Sequence, residues 1–378
     1  MSDEDIKYGL AGVITDTTAV SKVMPESNSL TYRGYRVQDL ATECRFEEVA
    51  YLILQGELPN KDQLAEFDAL EKSRRGLSDN LIGMMRRFNK DAHPMDTLRT
   101  AISFLGQEDG EAGESSPQGL MNKSVRMLAK IPEMVAVDYR LRKGLDPIAP
   151  DRSLGFSENF FHMCFGEVPA PEVVKCFDIS MTLYAEHSFN ASTFTARVVA
   201  SSQSDIYSAV VGAVGSLKGP LHGGANEAVM HMLTEVGSPD KAKAWMLDAL
   251  STKKKIMGFG HRVYRSGDSR VPTMTDAYKK MVDVIGTDEA KKYWEMSRIL
   301  DETMVAEKGI YPNLDFPAGP SYYLMGFEIP MFTPIFVMSR ITGWAAHVME
   351  QLADNKLIRP LSAYTGAKER DVPAIGTR

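Results

Sequence analysis

Apolar residues along this chain recur mainly at intervals of three and four, the spacing of one face of a helix. The stretch RVQDLATECRFEEVAYLILQGELP, residues 36–59, keeps that rhythm and halts at Gly56 and Pro59, residues that end helices by adopting a left-handed cap or lacking a donor. PEVVKCFDISMTLYAEHSF from Pro171 and SDIYSAVVGAVGSLKGP from Ser204 behave alike. Alternating, strand-like spacing is confined to the first thirty residues, where GLAGVITDTTAVSKV predicts a short hairpin. The pattern as a whole predicts an all-α fold. A late segment, MFTPIFVMSRITGWAAHVM from Met331, is apolar on nearly every side and reads as a buried helix, with Thr333 as N-cap and Pro334 at its first position. Arg340 stands in the middle of it.

The rhythm breaks at two places rich in glycine and proline, GSLKGPLHGG near residue 220 and YPNLDFPAGPSYYLMG near residue 320. They bracket about a hundred residues, the plain signature of a domain inserted between two hinge-like loops with a cleft beside it. A third break, GQEDGEAGESSPQG from Gly106, is acidic and glycine-rich; it reads as a solvated loop with no chemistry of its own.

Composition narrows the classes. With 378 residues, 44% hydrophobic and 25% charged, the chain reads as a soluble globular protein large enough for two domains. The formal charge of −7 comes from interspersed acids and bases, without the basic tract that would bind nucleic acid or an anionic membrane. An anionic ligand must therefore be met by local arginines and helix ends. Three cysteines, Cys44, Cys164 and Cys176, form no CxxC pair, which points away from a disulfide framework or zinc ribbon and towards a reducing, cytoplasmic home. The start MSDEDIKYGL lacks the basic and apolar parts of a secretory signal, and no apolar run reaches the roughly 20 residues of a membrane span. Dinucleotide, P-loop and HExxH patterns are absent from the sequence, so neither a metal nor a redox cofactor is expected.

Four residues have settings that invite chemistry. His222, in KGPLHGGANEAVMHML, precedes a glycine pair and a helical run; at the positive end of a helix its ring stays neutral and can donate to a carbonyl oxygen. The alternative is a turn histidine whose glycines serve only chain reversal. His261 follows another glycine turn and sits among Lys253, Lys254, Lys255, Arg262, Arg265 and Arg270, the most cationic window of an acidic chain. A polyanionic small molecule suits that window; a solvated basic loop is the bland alternative. Asp315, in PNLDFPAG, lies between Pro312 and Phe316–Pro317, where partial desolvation would raise its pKa towards that of a useful base. Most such Asp residues are turn formers. Arg340, among Phe336, Val337, Met338, Ile341 and Trp344, would cost several kcal/mol if buried alone and so needs an anion from protein or substrate.

Taken together, YAEHSFNASTFTARV, GSLKGPLHGGANE, GFGHRVYRSGDSR, PNLDF and SRITGWAAHVMEQ followed by NKLIRPLSAYTG resemble the citrate synthase family in order and spacing over most of the chain. Within it, HPMDTLRT, YAEHSFNASTF and DNKLIRP look most like the 2-methylcitrate synthases and short bacterial citrate synthases. The resemblance implies a helical homodimer whose large domain spans 1–220 and 322–378 and whose smaller, closing domain spans 221–321. It implies that an acyl-CoA, acetyl or propionyl, is condensed with oxaloacetate and water to give citrate or 2-methylcitrate plus CoA, the acyl-CoA being a co-substrate.

Residue by residue, His222 matches the histidine that hydrogen-bonds the thioester carbonyl, Asp315 the base that removes the α-proton, and His261 the histidine that polarises the ketone. His187, Arg270 and Arg340 match residues holding the oxaloacetate carboxylates, and Arg359 one that reaches into the partner subunit's site. Lys255, Ile256, Met257, Gly258, Gly260 and Arg265 match the region that receives CoA. Chemistry makes the same demands: an acyl-CoA α-proton yields to a carboxylate only if a donor stabilises the enolate oxygen, and a dicarboxylate calls for several arginines. Two rivals stay open, a citrate synthase proper working on acetyl-CoA and a silent family member serving as scaffold.

Overall fold

The computed structural model describes residues 6–10, 12–261, 264 and 267–377. It is 63% helix and 3% strand, with 16 helices, as the three-and-four spacing predicts. The strands form one small antiparallel sheet, β1 (Ser21–Met24), β2 (Ser29–Tyr32) and β3 (Tyr35–Arg36), in that order, with Val23 opposite Leu30 and Thr31 opposite Arg36. This corrects the predicted hairpin over residues 9–23: among the described residues no strand begins before Ser21. Left-handed backbone occurs early too, at Gly9, Leu10 and Gly12, but the reversals that join paired strands come at Asn28 (φ 46) and at Arg33 and Gly34 (φ 50 and 95).

The first ten helices are α1 (Val37–Glu43), α2 (Phe46–Gln55), α3 (Lys61–Arg74), α4 (Asp79–Met85), α5 (Pro94–Gln107), α6 (Pro117–Arg142), α7 (Phe156–Phe165), α8 (Pro171–Tyr184), α9 (Ala191–Ser201) and α10 (Ile206–Leu217). Proline opens α5, α6 and α8, where the missing amide proton is no loss. Gly56 closes α2 at φ 97. Next come α11 (Ala225–Val236), α12 (Pro239–Ser251), α13 (Val271–Ile285) and α14 (Asp288–Lys308), then α15 (Asp315–Leu324) and α16 (Phe332–Ala353). Helix α12 packs on α14, α11 on α15, and α13 on α8 and α15. Beyond α16 an exposed coil runs to a short 3-10 turn, Ile375–Thr377.

Helix α16 is the axis of the core, packed against α2, α5, α6, α8, α9 and α10. That is why its sequence is apolar all round. Its start corrects the predicted cap: a 3-10 turn, Ile329–Met331, already brings the backbone into helical geometry, so the helix begins at Phe332. Thr333 lies inside, its hydroxyl donating to Glu227 Oε1 of α11. The acidic loop after α5 also departs from expectation. Most of it is exposed, but Asp109 is buried, accepting from Tyr207 Oη and pairing with Arg126, each at 2.7 Å. The local composition hides this because both partners come from distant helices. No described helix is long and apolar enough to cross a membrane.

Candidate active site

The loops entering α9, α11 and α13, the start of α15 and the middle of α16 bring six of the singled-out residues together. The His187 and His261 rings lie 5.0 Å apart, and both face the buried Tyr264 ring, at 5.7 and 4.7 Å. Arg270 Nη1 donates to Leu183 O at 3.3 Å, and Arg340 Nε to Tyr184 O at 2.6 Å. Tyr184 Oη in turn donates to Asp315 Oδ1 at 2.7 Å. The end of α8 thus receives both arginines and the carboxylate.

Two glycines, Gly223 and Gly224, separate His222 from the start of α11. Its loop turns back so tightly that a Cβ on Gly223 would meet Leu217 O at 2.4 Å, so this glycine is required for the turn. The Ser192 amide donates to His222 Nε2 at 3.2 Å. A backbone N–H can only donate, so Nε2 accepts and the proton of the neutral ring sits on Nδ1. Burial, followed by the Arg340 charge, pushes this histidine down to about 4. Ser192 is held by Trp344 Nε1, which donates to its hydroxyl at 3.0 Å, and by Asn190 Oδ1, which accepts from that hydroxyl at 2.8 Å.

His261 shows the mirrored tautomer. Its Nδ1 accepts from Tyr264 N at 3.3 Å, placing the proton on Nε2, and burial with the Arg270 charge pushes it to about 4. His187 is held well below the usual imidazole value by burial and then by Arg270; its Nε2 is buried and makes no hydrogen bond among the described residues.

The two arginines are built differently. Asp268 grips Arg270 as a fork, Oδ1 to Nε at 2.9 Å and Oδ2 to Nη2 at 2.6 Å, and the same carboxylate accepts from Leu314 N at 3.2 Å. Arg340 lies against the Phe336 ring, 4.6 Å from its centroid, and forms no carboxylate ion pair within 4.0 Å among the described residues. Burial pushes it down to about 10, opposed chiefly by the Glu186 charge.

Asp315 is the first residue of α15 and half-buried. It is placed by an isolated bridge between Phe259 and Pro312, reinforced by Gly260 N to Tyr311 O at 2.8 Å and Asn313 N to Gly258 O at 2.9 Å. The GFGH and PNLD motifs are therefore two sides of one pairing. Gly258 carries φ 84, and a Cβ there would meet Val229 Cγ2 at 2.4 Å. Burial raises the Asp315 carboxyl to about 6, against the lowering effects of Tyr184 and Arg270.

Of the remaining expected residues, Lys255 is exposed, Ile256, Met257 and Gly260 are half-buried, and Gly258 is buried, all on the loop leading to that pairing. Arg265, with Arg262, lies outside the described residues. Arg359 is exposed in the coil after α16, apart from the contacts that join the other six. Sequence reasoning missed Tyr184, Glu186, Ser192 and Asp268. Three of these stand in the YAEHSFNAS word and the fourth two residues before Arg270, so nearness to a singled-out residue was the available signal.

A carboxyl raised towards neutrality beside two neutral histidines, each with an assignable proton, can draw a proton from carbon and steady the oxygen that gains charge. Arginines alongside can hold a dicarboxylate. That is the equipment of a carbon–carbon condensing enzyme.

Comparison with known proteins gives the family. The family model "Citrate synthase, C-terminal domain" matches residues 9–361, and the chain belongs to the citrate synthase family. It is 57% identical to a 2-methylcitrate synthase of Mycobacterium tuberculosis, over 98% of this chain and 93% of that one. It is also 57% identical to a citrate synthase of Mycolicibacterium smegmatis, over 97% of each. Among solved structures, the ternary complex of a citrate synthase from Thermoplasma acidophilum with carboxymethyl coenzyme A and oxaloacetate superposes with a TM-score of 0.91. The identity there is 29%, over 99% of this chain and all of that one. The protein is accordingly a condensing acyltransferase of a family that joins an acyl-CoA to oxaloacetate.

Proposed function

We propose that Asp315, His222 and His261 carry the condensation and that His187, Arg270 and Arg340 hold oxaloacetate, with propionyl-CoA or acetyl-CoA as the acyl donor. Asp315 takes the α-proton of the thioester, and the electron pair moves onto the thioester oxygen, which accepts a hydrogen bond from His222 Nδ1. The enolate carbon attacks the oxaloacetate ketone, whose oxygen is protonated from His261 Nε2. Water then cleaves the thioester, releasing CoA and the tricarboxylate. No step calls on a metal or redox group.

The observation that carries this reading is the double contact of Tyr184, whose hydroxyl holds the base and whose carbonyl holds Arg340. One residue fixes the proton acceptor relative to the carboxylate cradle, as a reaction between two bound molecules requires. The neutral histidines agree with it, since burial keeps both as single-proton donors at neutral pH.

The smaller domain, 221–321, closes over the substrates bound to the larger one, 1–220 and 322–378, shielding the enolate from solvent protons. The exposed coil after α16 carries Arg359 to the partner subunit's site in a cytoplasmic homodimer. Following CoA thiol release with acetyl-CoA and propionyl-CoA, with and without oxaloacetate, tests the reading. Oxaloacetate-dependent release is expected, and a higher specificity constant for propionyl-CoA makes this a 2-methylcitrate synthase. A higher constant for acetyl-CoA makes this a citrate synthase proper, and no release with either thioester from folded protein leaves a silent scaffold.

A further inference from the structure

The AEHS segment holds more than its histidine. Ser188 sits at φ 52, in the left-handed region that disfavours a residue with a Cβ by roughly 1 kcal/mol or more. Its amide is clasped in that posture, donating to Ser21 Oγ at 2.9 Å and to Glu186 Oε1. Ser21 Oγ itself donates to Glu186 Oε1 at 2.8 Å. On the other side of His187, Tyr32 Oη donates to Glu186 O at 3.0 Å. The backbone is thus pinned before and after the ring whose Nε2 is left for a ligand.

Glu186 is fully buried, and two neighbours, His347 and Arg340, answer its charge. Arg197 Nη1 lies 3.2 Å from His347 Nδ1, and a guanidinium can only donate, so Nδ1 accepts and His347 gives its Nε2 proton to Glu186 Oε1 at 2.8 Å. The Arg197 charge is engaged by Glu350 and Asp16, at 2.8 and 2.9 Å. Against the raising effect of burial, Glu186 is held down first by His347 and then by Arg340, and it is in turn the foremost influence opposing the burial of Arg340. Helix α16 comes close enough only because residue 343 is glycine: a Cβ there would meet Glu186 Oε2 at 2.2 Å and Ala185 O at 2.6 Å.

We infer that Glu186 is a positioning residue for oxaloacetate, clasping Ser188 in the left-handed turn that presents His187 and standing as the buried counter-charge of Arg340. The inference rests on the assignment of His187 and Arg340 to the oxaloacetate site. It predicts a selective effect. Glu186→Gln, nearly isosteric, should raise the oxaloacetate Kd and KM about tenfold or more, the size of one charge-assisted contact. The KM for acyl-CoA and kcat at saturating oxaloacetate should change by less than about threefold, because neither Asp315 nor His222 touches this clasp.

Adding Ser188→Gly to Glu186→Gln should recover part of the lost affinity, since glycine takes a left-handed φ without the clasp. Ser21→Ala, which removes one acceptor and leaves the charge, should weaken oxaloacetate by a smaller factor and serves if Glu186→Gln folds poorly. Calorimetric titration with oxaloacetate, on thermally verified folded protein, reads all of these. An oxaloacetate Kd within twofold of wild type in both Glu186→Gln and Ser21→Ala overturns the inference, as does equal weakening of acyl-CoA and oxaloacetate with no recovery from Ser188→Gly. His187→Ala and Arg340→Leu run alongside keep the two levels apart. If they lose oxaloacetate while Glu186→Gln binds normally, only the role of Glu186 fails; if all three bind normally, the site assignment itself fails.

Discussion

Removing the Tyr184 hydroxyl tests the base directly. Asp315 is raised to about 6 by burial, and the Tyr184 hydrogen bond is the foremost influence holding it down. A hydrogen bond to a charged group is worth about 1.5–3 kcal/mol, and because Asp315 is half-buried the low end applies, or about one pH unit. The sign follows from the carboxylate losing a donor: its proton is held to higher pH, so the base form disappears sooner as pH falls. Tyr184→Phe should therefore move the acid limb of kcat/KM for acyl-CoA from about pH 6 to about pH 7. At pH 6.5 that alone cuts the rate about threefold, while above about pH 8.5 it has almost no effect. His222 and His261, pushed to about 4, do not titrate in this window. Thiol release at saturating oxaloacetate from about pH 5.5 to 9 measures the limb. A limb that stays in place, or moves to lower pH, refutes the assignment of the Tyr184 hydrogen bond as the regulator of the base.

Asp315→Ala should abolish turnover while calorimetry finds oxaloacetate binding almost unchanged, because the arginines are held by Asp268 and Tyr184 O rather than by Asp315; retained turnover excludes it as the base. Mixing inactive Arg359→Ala with inactive His222→Ala subunits should restore some activity in hybrid dimers, and verified hybrids without activity count against a shared site. Away from the site, burial and the neighbouring Glu47 charge raise Asp178 to about 7. An acid raised on folding stabilises fully below its unfolded pKa and loses that contribution as pH climbs through the folded one. Asp178→Asn keeps both hydrogen bonds made by Oδ1, from Phe46 N and Ser157 Oγ, so it should raise Tm at pH 8 but not at pH 4.

Much of this architecture was legible in the chain. Helices such as α2 and α8 announce themselves by spacing, and the glycine turns flag His222 and His261 because only a residue without a Cβ passes Leu217 O or Val229 so closely. Arg340 was legible as a charge in an apolar helix. Its countercharge was not, because Glu186 reaches it through a loop fixed by β1 and α16, and no local pattern encodes that meeting. Tyr184 reads as one more apolar position of α8 until the turn before α9 aims its hydroxyl at Asp315. Asp109 reads as a loop acid until Tyr207 and Arg126 arrive from other helices. The false cap at Thr333 has the same origin: the preceding turn had already set the backbone. The role proposed for Arg359 requires a second subunit, which the spacing of one chain does not describe.

Arg340 lies in the core with no carboxylate within 4.0 Å among the described residues and Glu186 answering it only from farther off, so under the proposed assignment a bound dianion offsets much of the cost of burying it. At a hundred times its Kd, such a ligand adds about 2.7 kcal/mol to the stability of whatever binds it. If Arg340 holds oxaloacetate as proposed, resistance to heat and proteolysis should rise with the concentration of that substrate, the ligand-free form being the more perishable one.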